Sequence, residues 1–167
     1  MRARLAVLTR RVGPDRPVPA DNLHLTLAFL GSSDEAQYDC YRRAAAGVRV
    51  PAFKIRLDIF GYWPRPRVAW LGCTQTPEAL GLLVQQLHAM LEACGYQPEQ
   101  RSFVAHVTLQ RKARKCLVPK GFQPLDWTAH SFALVESLSR EEGPEYRLLQ
   151  EWPLAVRRAG QLDGYPV

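Results

Sequence analysis

Apolar positions recur along this chain at two spacings, and each change of spacing predicts a change of element. Leu5, Leu8 and Val12 recur at three and four residues, the period of one helical face, which predicts a helix over Arg2 to Val12. Gly13-Pro14-Asp15-Arg16-Pro17 breaks it. Leu23 to Leu30 reads as a strand ended by Gly31. Ser32 and Glu35 have capping-box spacing and open a second predicted helix to Ala46. After Pro51, the apolar residues Phe53, Ile55, Leu57 and Ile59 alternate with Lys54, Arg56 and Asp58, the pattern of a half-buried strand. Trp63-Pro64-Arg65-Pro66-Arg67 is its turn, and Val68 to Cys73 is its expected hairpin partner.

Thr76-Pro77 is the expected start of a third helix, with proline at the first helical position. Leu80, Leu83, Val84, Leu87, Leu91 and Cys94 form its apolar stripe, and Gly95 is its stop. Ser102 to Leu109 is a further strand, followed by the basic loop Arg111-Lys112-Ala113-Arg114-Lys115. Phe132 to Leu138 and Tyr146 to Trp152 form a closing hairpin through Glu142-Gly143-Pro144. Hairpins outnumber strand–helix–strand crossovers, so the pattern favours an α+β fold with antiparallel sheet.

At 167 residues the expectation is one compact domain. No apolar run is long enough to span a bilayer, and the start lacks a signal-peptide pattern, which points to the cytoplasm. The formal charge of +6 favours polyanionic partners such as RNA. Cys40, Cys73, Cys94 and Cys116 are scattered without a CxxC pair, and each is read as a small apolar side chain or an inert thiol in a reducing compartment.

The chain writes His-x-Thr-aliphatic twice, as His24-Leu25-Thr26-Leu27 and His106-Val107-Thr108-Leu109. On a strand, alternate side chains share a face. Each copy therefore presents an imidazole and a hydroxyl on one side and two core anchors on the other. Two such strands facing one groove supply a neutral imidazole to take a proton from water and a protonated one to return it to a leaving oxygen. Thr26 and Thr108 would hydrogen-bond the non-bridging oxygens of a phosphodiester, and Arg111 would add charge to them. A zinc site wants three or four ligands at local spacings such as HExxH or CxxC. None occurs, so no metal or other cofactor is expected. The chain has no P-loop, GxGxxG or GxSxG.

The other candidates have structural readings. His88 is expected at the edge of the third helix's buried stripe, and His130 facing solvent or capping a turn. Phe29, Phe60, Trp63 and Trp70 are expected in the core, with one or two near the groove available to stack on a base. Tyr146 and Trp152 are expected to pack the last hairpin. The basic loop is either solvated or in contact with RNA phosphates.

The run Val18-Pro19-Ala20-Asp21-Asn22-Leu23-His24-Leu25-Thr26-Leu27-Ala28-Phe29-Leu30-Gly31 resembles the first signature of the 2H phosphoesterase superfamily. More narrowly, it resembles the bacterial RNA 2′,3′-cyclic phosphodiesterases, also named 2′-5′ RNA ligases. Pro64 to Gly72, the helix after Thr76, the second motif at His106, and Gly143 to Leu154 agree in order.

The resemblance implies a bilobal α+β fold, with two antiparallel sheets and flanking helices around a central groove in pseudo-twofold arrangement. Residues 1–154 would form one such domain and 155–167 a weakly patterned tail. It implies metal-free hydrolysis of a 2′,3′-cyclic phosphate to a 2′-phosphate, with His24 as proton donor and His106 as proton acceptor. The partners would be RNA 3′ ends or cyclic nucleotides, met by a monomer away from membranes. The alternatives are 2′-5′ RNA joining, a small cyclic-nucleotide substrate, or a groove that binds nucleotides without turnover. Family members usually open with a short apolar strand, whereas Met1 here falls inside the first predicted helix. Either the start is truncated or the first sheet lacks a strand, and a missing strand would leave a sheet edge open.

Overall fold

A computed structural model describes residues 1–140 and 143–155. Glu142 of the expected last turn and residues 156–167 of the expected tail lie outside them. The element order is α1 (Arg2–Arg11), β1 (Arg16–Pro17), a 3-10 turn (Ala20–Asn22), α2 (Glu35–Ala46), β2 (Phe53–Leu57), β3 (Ile59–Trp63), β4 (Val68–Gly72), α3 (Glu78–Glu92), β5 (His106–Arg111), β6 (Leu125–Ala129), β7 (Ser131–Arg140) and β8 (Gly143–Pro153). The α+β class with antiparallel pairing is as expected. The strands fall into three ladders: a four-stranded sheet in the order β1-β5-β4-β3, the pair β2-β6, and the hairpin β7-β8.

The helices carry the stripes read from the sequence. α3 buries Leu80, Leu83, Val84, Leu87 and Leu91, each burial contributing about 1.5–3 kcal/mol over the exposed state. Gly95 closes that end with φ +82°, a conformation glycine adopts without steric cost. The caps differ from expectation. At α2 the box is Asp34 with Gln37: Asp34 Oδ1 accepts from the Gln37 amide at 2.8 Å, and Gln37 Oε1 accepts from the Asp34 amide at 3.1 Å. Ser32 and Glu35 have the same spacing two residues earlier, and the aspartate wins because it sits at the helix entry. At α3, Pro77 itself is the N-cap, with no side-chain hydrogen bond.

Three strand expectations are corrected. The alternating run Phe53 to Ile59 divides at Asp58, which leaves the ladder direction because its own amide donates to Gly72 O and its carboxylate accepts from Thr74 N. β2 therefore pairs with β6, and only β3 pairs with β4. The strand β6 escaped sequence reading because it is five residues long and interrupted by Asp126. The predicted strand Leu23 to Leu30 makes a single bridge, Leu25 to Val107. Its neighbour β5 already pairs with β1 at Arg111 and Gln110, and Val18 N donates to Leu109 O. At the strand's far end, the Leu27 carbonyl accepts from His88 Nε2 at 2.9 Å instead of from a ladder.

Two side-chain expectations are also corrected. Cys40 and Cys94 form a disulfide joining α2 to the end of α3, with Cα atoms 5.7 Å apart. The two cysteines are 54 residues apart, and only the packing of the two helices brings them together. Cys73 and Cys116 are free, and burial pushes both thiols up, Cys73 to about 11. Phe29 is not core: 77% of it is exposed, because the segment after Leu27 leaves the sheet. His130 is exposed. Beyond β8, Leu154 is buried and Ala155 bridges Pro51.

Candidate active site

β5 supplies the second motif. His106 and Thr108 alternate with Val107 and Leu109, which are 1% and 0% exposed. Simple alternation would then turn Arg111 toward the core beside Leu109. A register shift prevents this. Trp70 pairs with Thr108 and Ala69 with Gln110, so Leu109 is an extra residue on the β5 side. Such a bulge resets which face each later residue occupies. Gln110 is thereby buried, and its amide donates to Thr9 O at 2.8 Å and Gly13 O at 2.6 Å. Gly13 allows that approach, since a Cβ there would lie 2.9 Å from Gln110 Oε1. Arg111 turns back to the face of His106 and Thr108.

The first motif rests against β5 through its one bridge. Stepping one residue either way from the antiparallel pair Leu25–Val107 sets His24 level with Thr108 and Thr26 level with His106. Each imidazole thus faces the hydroxyl of the other motif. His24, Thr108 and Arg111 line one cleft with Arg16, Asn22, Pro144 and Tyr146. Thr26 is exposed and outside that lining. His106 stands beside the cleft, close enough for the charges of both His24 and Arg111 to act on it.

Both imidazoles are oriented in the same way. His24 Nδ1 lies 2.6 Å from Asn22 O, and His106 Nδ1 lies 2.7 Å from Val104 O. A carbonyl oxygen only accepts, so each Nδ1 carries a hydrogen and donates it. Nε2 is then the nitrogen that gains or loses a proton. Burial is the main influence holding both rings below the usual histidine value, opposed by these carbonyl bonds. The Arg111 guanidinium lowers both, and His24 further lowers His106.

Aromatic rings frame each histidine. Tyr146 lies edge-on to His24 with centroids 4.6 Å apart, rather than merely packing its hairpin. Trp63 lies edge-on to His106, also at 4.6 Å, and tilts over Trp70 at 5.1 Å. The Trp70 indole covers Gly61, where a Cβ would come within 2.0 Å of the ring. Trp63 and Trp70 are half-buried beside the site and Phe60 packs against Phe122. Trp152 stacks on Phe132 within the hairpin as expected.

The basic loop divides. Ala113 is fully buried, and its carbonyl accepts from Tyr62 Oη and Arg67 Nε. Arg114 pairs with Asp15 at 3.1 Å. Among the described residues, no three His, Cys, Asp or Glu side chains are grouped to hold a metal ion, and no helix is long and apolar enough to cross a membrane.

Sequence reading missed two supports. Asn22 gives its carbonyl to His24 and its side-chain amide to Pro144 O at 2.6 Å, tying the hairpin to the first motif. His88, read as a stripe-edge residue, holds Leu27. Only the position of Asn22 two residues before a motif histidine hinted at the first, and no local pattern pointed to the second.

Residues 1–70 match the family model described as LigT like Phosphoesterase. An RNA 2′,3′-cyclic phosphodiesterase of Escherichia coli K12 is 37% identical over 141 residues, 83% of this chain and 80% of that one. The enzyme of the same name from Thermus thermophilus is 35% identical, over 92% and 84%. The crystal structure of E. coli LigT complexed with 3′-AMP superposes with a TM-score of 0.79 at 34% identity, covering 89% of this chain and 92% of that one.

Proposed function

The chain belongs to the LigT-like phosphoesterase family, and on that premise we propose that it hydrolyses the 2′,3′-cyclic phosphate at an RNA 3′ end to a 2′-phosphomonoester. The observation that carries this reading is the paired histidine geometry. Each Nδ1 is fixed on a carbonyl two residues upstream, which leaves each Nε2 for proton transfer. His106 Nε2 takes a proton from water as the water oxygen bonds to phosphorus. The bond from phosphorus to the 3′ oxygen breaks, and His24 Nε2–H protonates that oxygen. Donor and acceptor on opposite sides of phosphorus suit an in-line displacement.

Arg111 and Thr108, with Thr26 beside His106, hold the non-bridging oxygens and the charge that builds on them. The Arg111 charge, which lowers both imidazoles, is offset when the phosphate anion enters, which supports the protonated form of His24 in the complex. The proton transfers are complete without a metal. The test is hydrolysis of an RNA oligonucleotide ending in a 2′,3′-cyclic phosphate, with EDTA present and products resolved by isomer. The expected product is the 2′-phosphate, formed at the same rate with and without EDTA. A 3′-phosphate product, a rate abolished by EDTA, or binding without turnover would overturn the reading.

A further inference from the structure

Basic residues are unevenly spread along the chain. Segments 10–16, 65–67 and 111–120 hold ten of the 22 Lys and Arg and one of the 16 Asp and Glu, so the remaining sequence carries more acid than base. The three segments are distant in sequence and adjacent in space. Arg16 and Val68 are the register partners of Arg111 on either side of β5. The Ala113 amide donates to Arg67 O, and the Arg67 guanidinium donates back to the Ala113 and Lys112 carbonyls at 3.2 and 3.1 Å. Further along, Leu117 N donates to Val12 O at 2.8 Å and the Arg11 guanidinium to Lys120 O at 3.0 Å. All ten cations are exposed.

Gathering like charge on one face opposes folding through self-repulsion, and little within this face offsets it. Asp15, the one carboxylate of the three segments, is taken by Arg114. The bonds of Arg11 and Arg67 go to carbonyl oxygens, which leave the charge in place. Among the described residues, Arg65, Lys112 and Lys115 have no carboxylate within ion-pair distance. The backbone is also fixed for the purpose. Arg67 and Lys112 have φ of 66° and 55°, uncommon for residues with a side chain, and the bonds between Arg67 and residues 112–113 hold both.

We infer that this face carries the sugar–phosphate backbone of the RNA strand leading into the site, which makes an RNA end, rather than a free cyclic nucleotide, the preferred substrate. The inference rests on the proposed reaction: with the cyclic phosphate at Arg111, the strand continues outward from the terminal ribose, and the basic face begins at Arg111. Lys and Arg contacts to phosphates position a strand without reading its bases. A face that lies on a membrane pairs its cations with a broad apolar surface, whereas the large apolar side chains exposed in these segments are Leu117 and Val118.

The experiment compares two substrates in three proteins. One substrate is a single-stranded RNA oligonucleotide ending in a 2′,3′-cyclic phosphate, and the other is the mononucleotide with the same cyclic phosphate. The proteins are the native chain, the triple variant Arg65→Gln, Lys112→Gln, Lys115→Gln, and a control that removes the same charge elsewhere, Arg43→Gln, Lys54→Gln, Arg56→Gln. The first triple variant is expected to raise KM for the RNA about 10- to 100-fold at low salt, with kcat unchanged. Its turnover of the mononucleotide is expected to match the native chain, which also reports that it is folded. Between about 50 and 200 mM salt, native kcat/KM on the RNA is expected to fall about 10- to 20-fold more than that of the triple variant, the difference made by three phosphate contacts. The control is expected to follow the native chain.

An unchanged KM for the RNA in the triple variant would make the face merely solvated and overturn the inference. An equal loss on both substrates would assign these cations to the reacting phosphate, and an equal loss in the control would assign the effect to net charge; either overturns it. Loss of binding to phosphatidylserine vesicles with RNA kinetics unchanged would give the face to an anionic membrane instead. If the native chain turns over neither substrate, the reaction fails rather than the face. Fluorescence anisotropy of the same RNA, with its weaker binding expected in the triple variant alone, then decides the face by itself.

Discussion

The two copies of the motif have the same sequence pattern and opposite kinds of support. His106-Val107-Thr108-Leu109 lies inside a four-stranded sheet, where the β4 ladder runs along one side of it and β1 pairs just beyond it, at Gln110 and Arg111. His24-Leu25-Thr26-Leu27 makes one bridge, and side chains do the rest: His88 holds Leu27, and Asn22 anchors Pro144. One histidine is held by secondary structure, the other by isolated contacts. The difference teaches that a strand pattern specifies which side chains share a face, while the partner available at the edge decides whether a strand forms. The first segment is therefore the one open to local loosening.

Removing the histidines tests whether the two halves are equal in chemistry despite unequal support. His24→Ala and His106→Ala are each expected to lower kcat by about 10²- to 10⁴-fold, with circular dichroism unchanged. Full activity in either variant would end the comparison. Arg111→Gln comes next, with about a 10²- to 10³-fold loss. It also carries a pH signature. The guanidinium lowers both histidines, so its removal raises both, and both limbs of the kcat/KM profile are expected to move to higher pH. An unmoved profile would place Arg111 away from the pair.

Supports of the first motif are expected to have smaller effects. Reducing Cys40–Cys94 frees a loop of 54 residues and is expected to cost about 2–4 kcal/mol of stability, read as a lower denaturation midpoint. Amides of α3 and of residues 23–27 should exchange faster while those of β5 stay protected. His88→Leu removes one hydrogen bond worth about 0.5–1.5 kcal/mol. It is expected to speed exchange at residues 23–27 and to lower kcat less than about 10-fold. An equal change at β5 would show that the two motifs are mechanically one unit.

Stability has its own pH dependence. Both histidines titrate lower in the folded chain than unfolded, so below about pH 6.5 the unfolded chain binds more protons. Stability is expected to be full above that value and to fall as pH drops toward the lowered folded values.

Much of this was legible in the residues. Helical faces showed in the spacing of leucines, and the duplicated motif announced the site because histidine and threonine two apart must share a face on extended chain. What stayed hidden depended on neighbours distant in sequence. Asp58 looks like one more polar position in an alternating run, yet it sends the halves of that run to different ladders. Cys40 and Cys94 carry no local sign of each other. Phe29 follows the apolar pattern of a strand that has no ladder to continue into.

The bulge at Leu109 makes the distance from Thr108 to Arg111 a matter of odd and even. Arg111 comes three positions after Thr108, an odd interval that in a regular strand puts two side chains on opposite surfaces. Lengthening or shortening this stretch by one residue would therefore act as an inversion rather than a displacement. It would draw Arg111 out of the groove and free the glutamine that secures the end of α1. Among related chains, a gain or loss at this point should be accompanied by a change in where the cation is written.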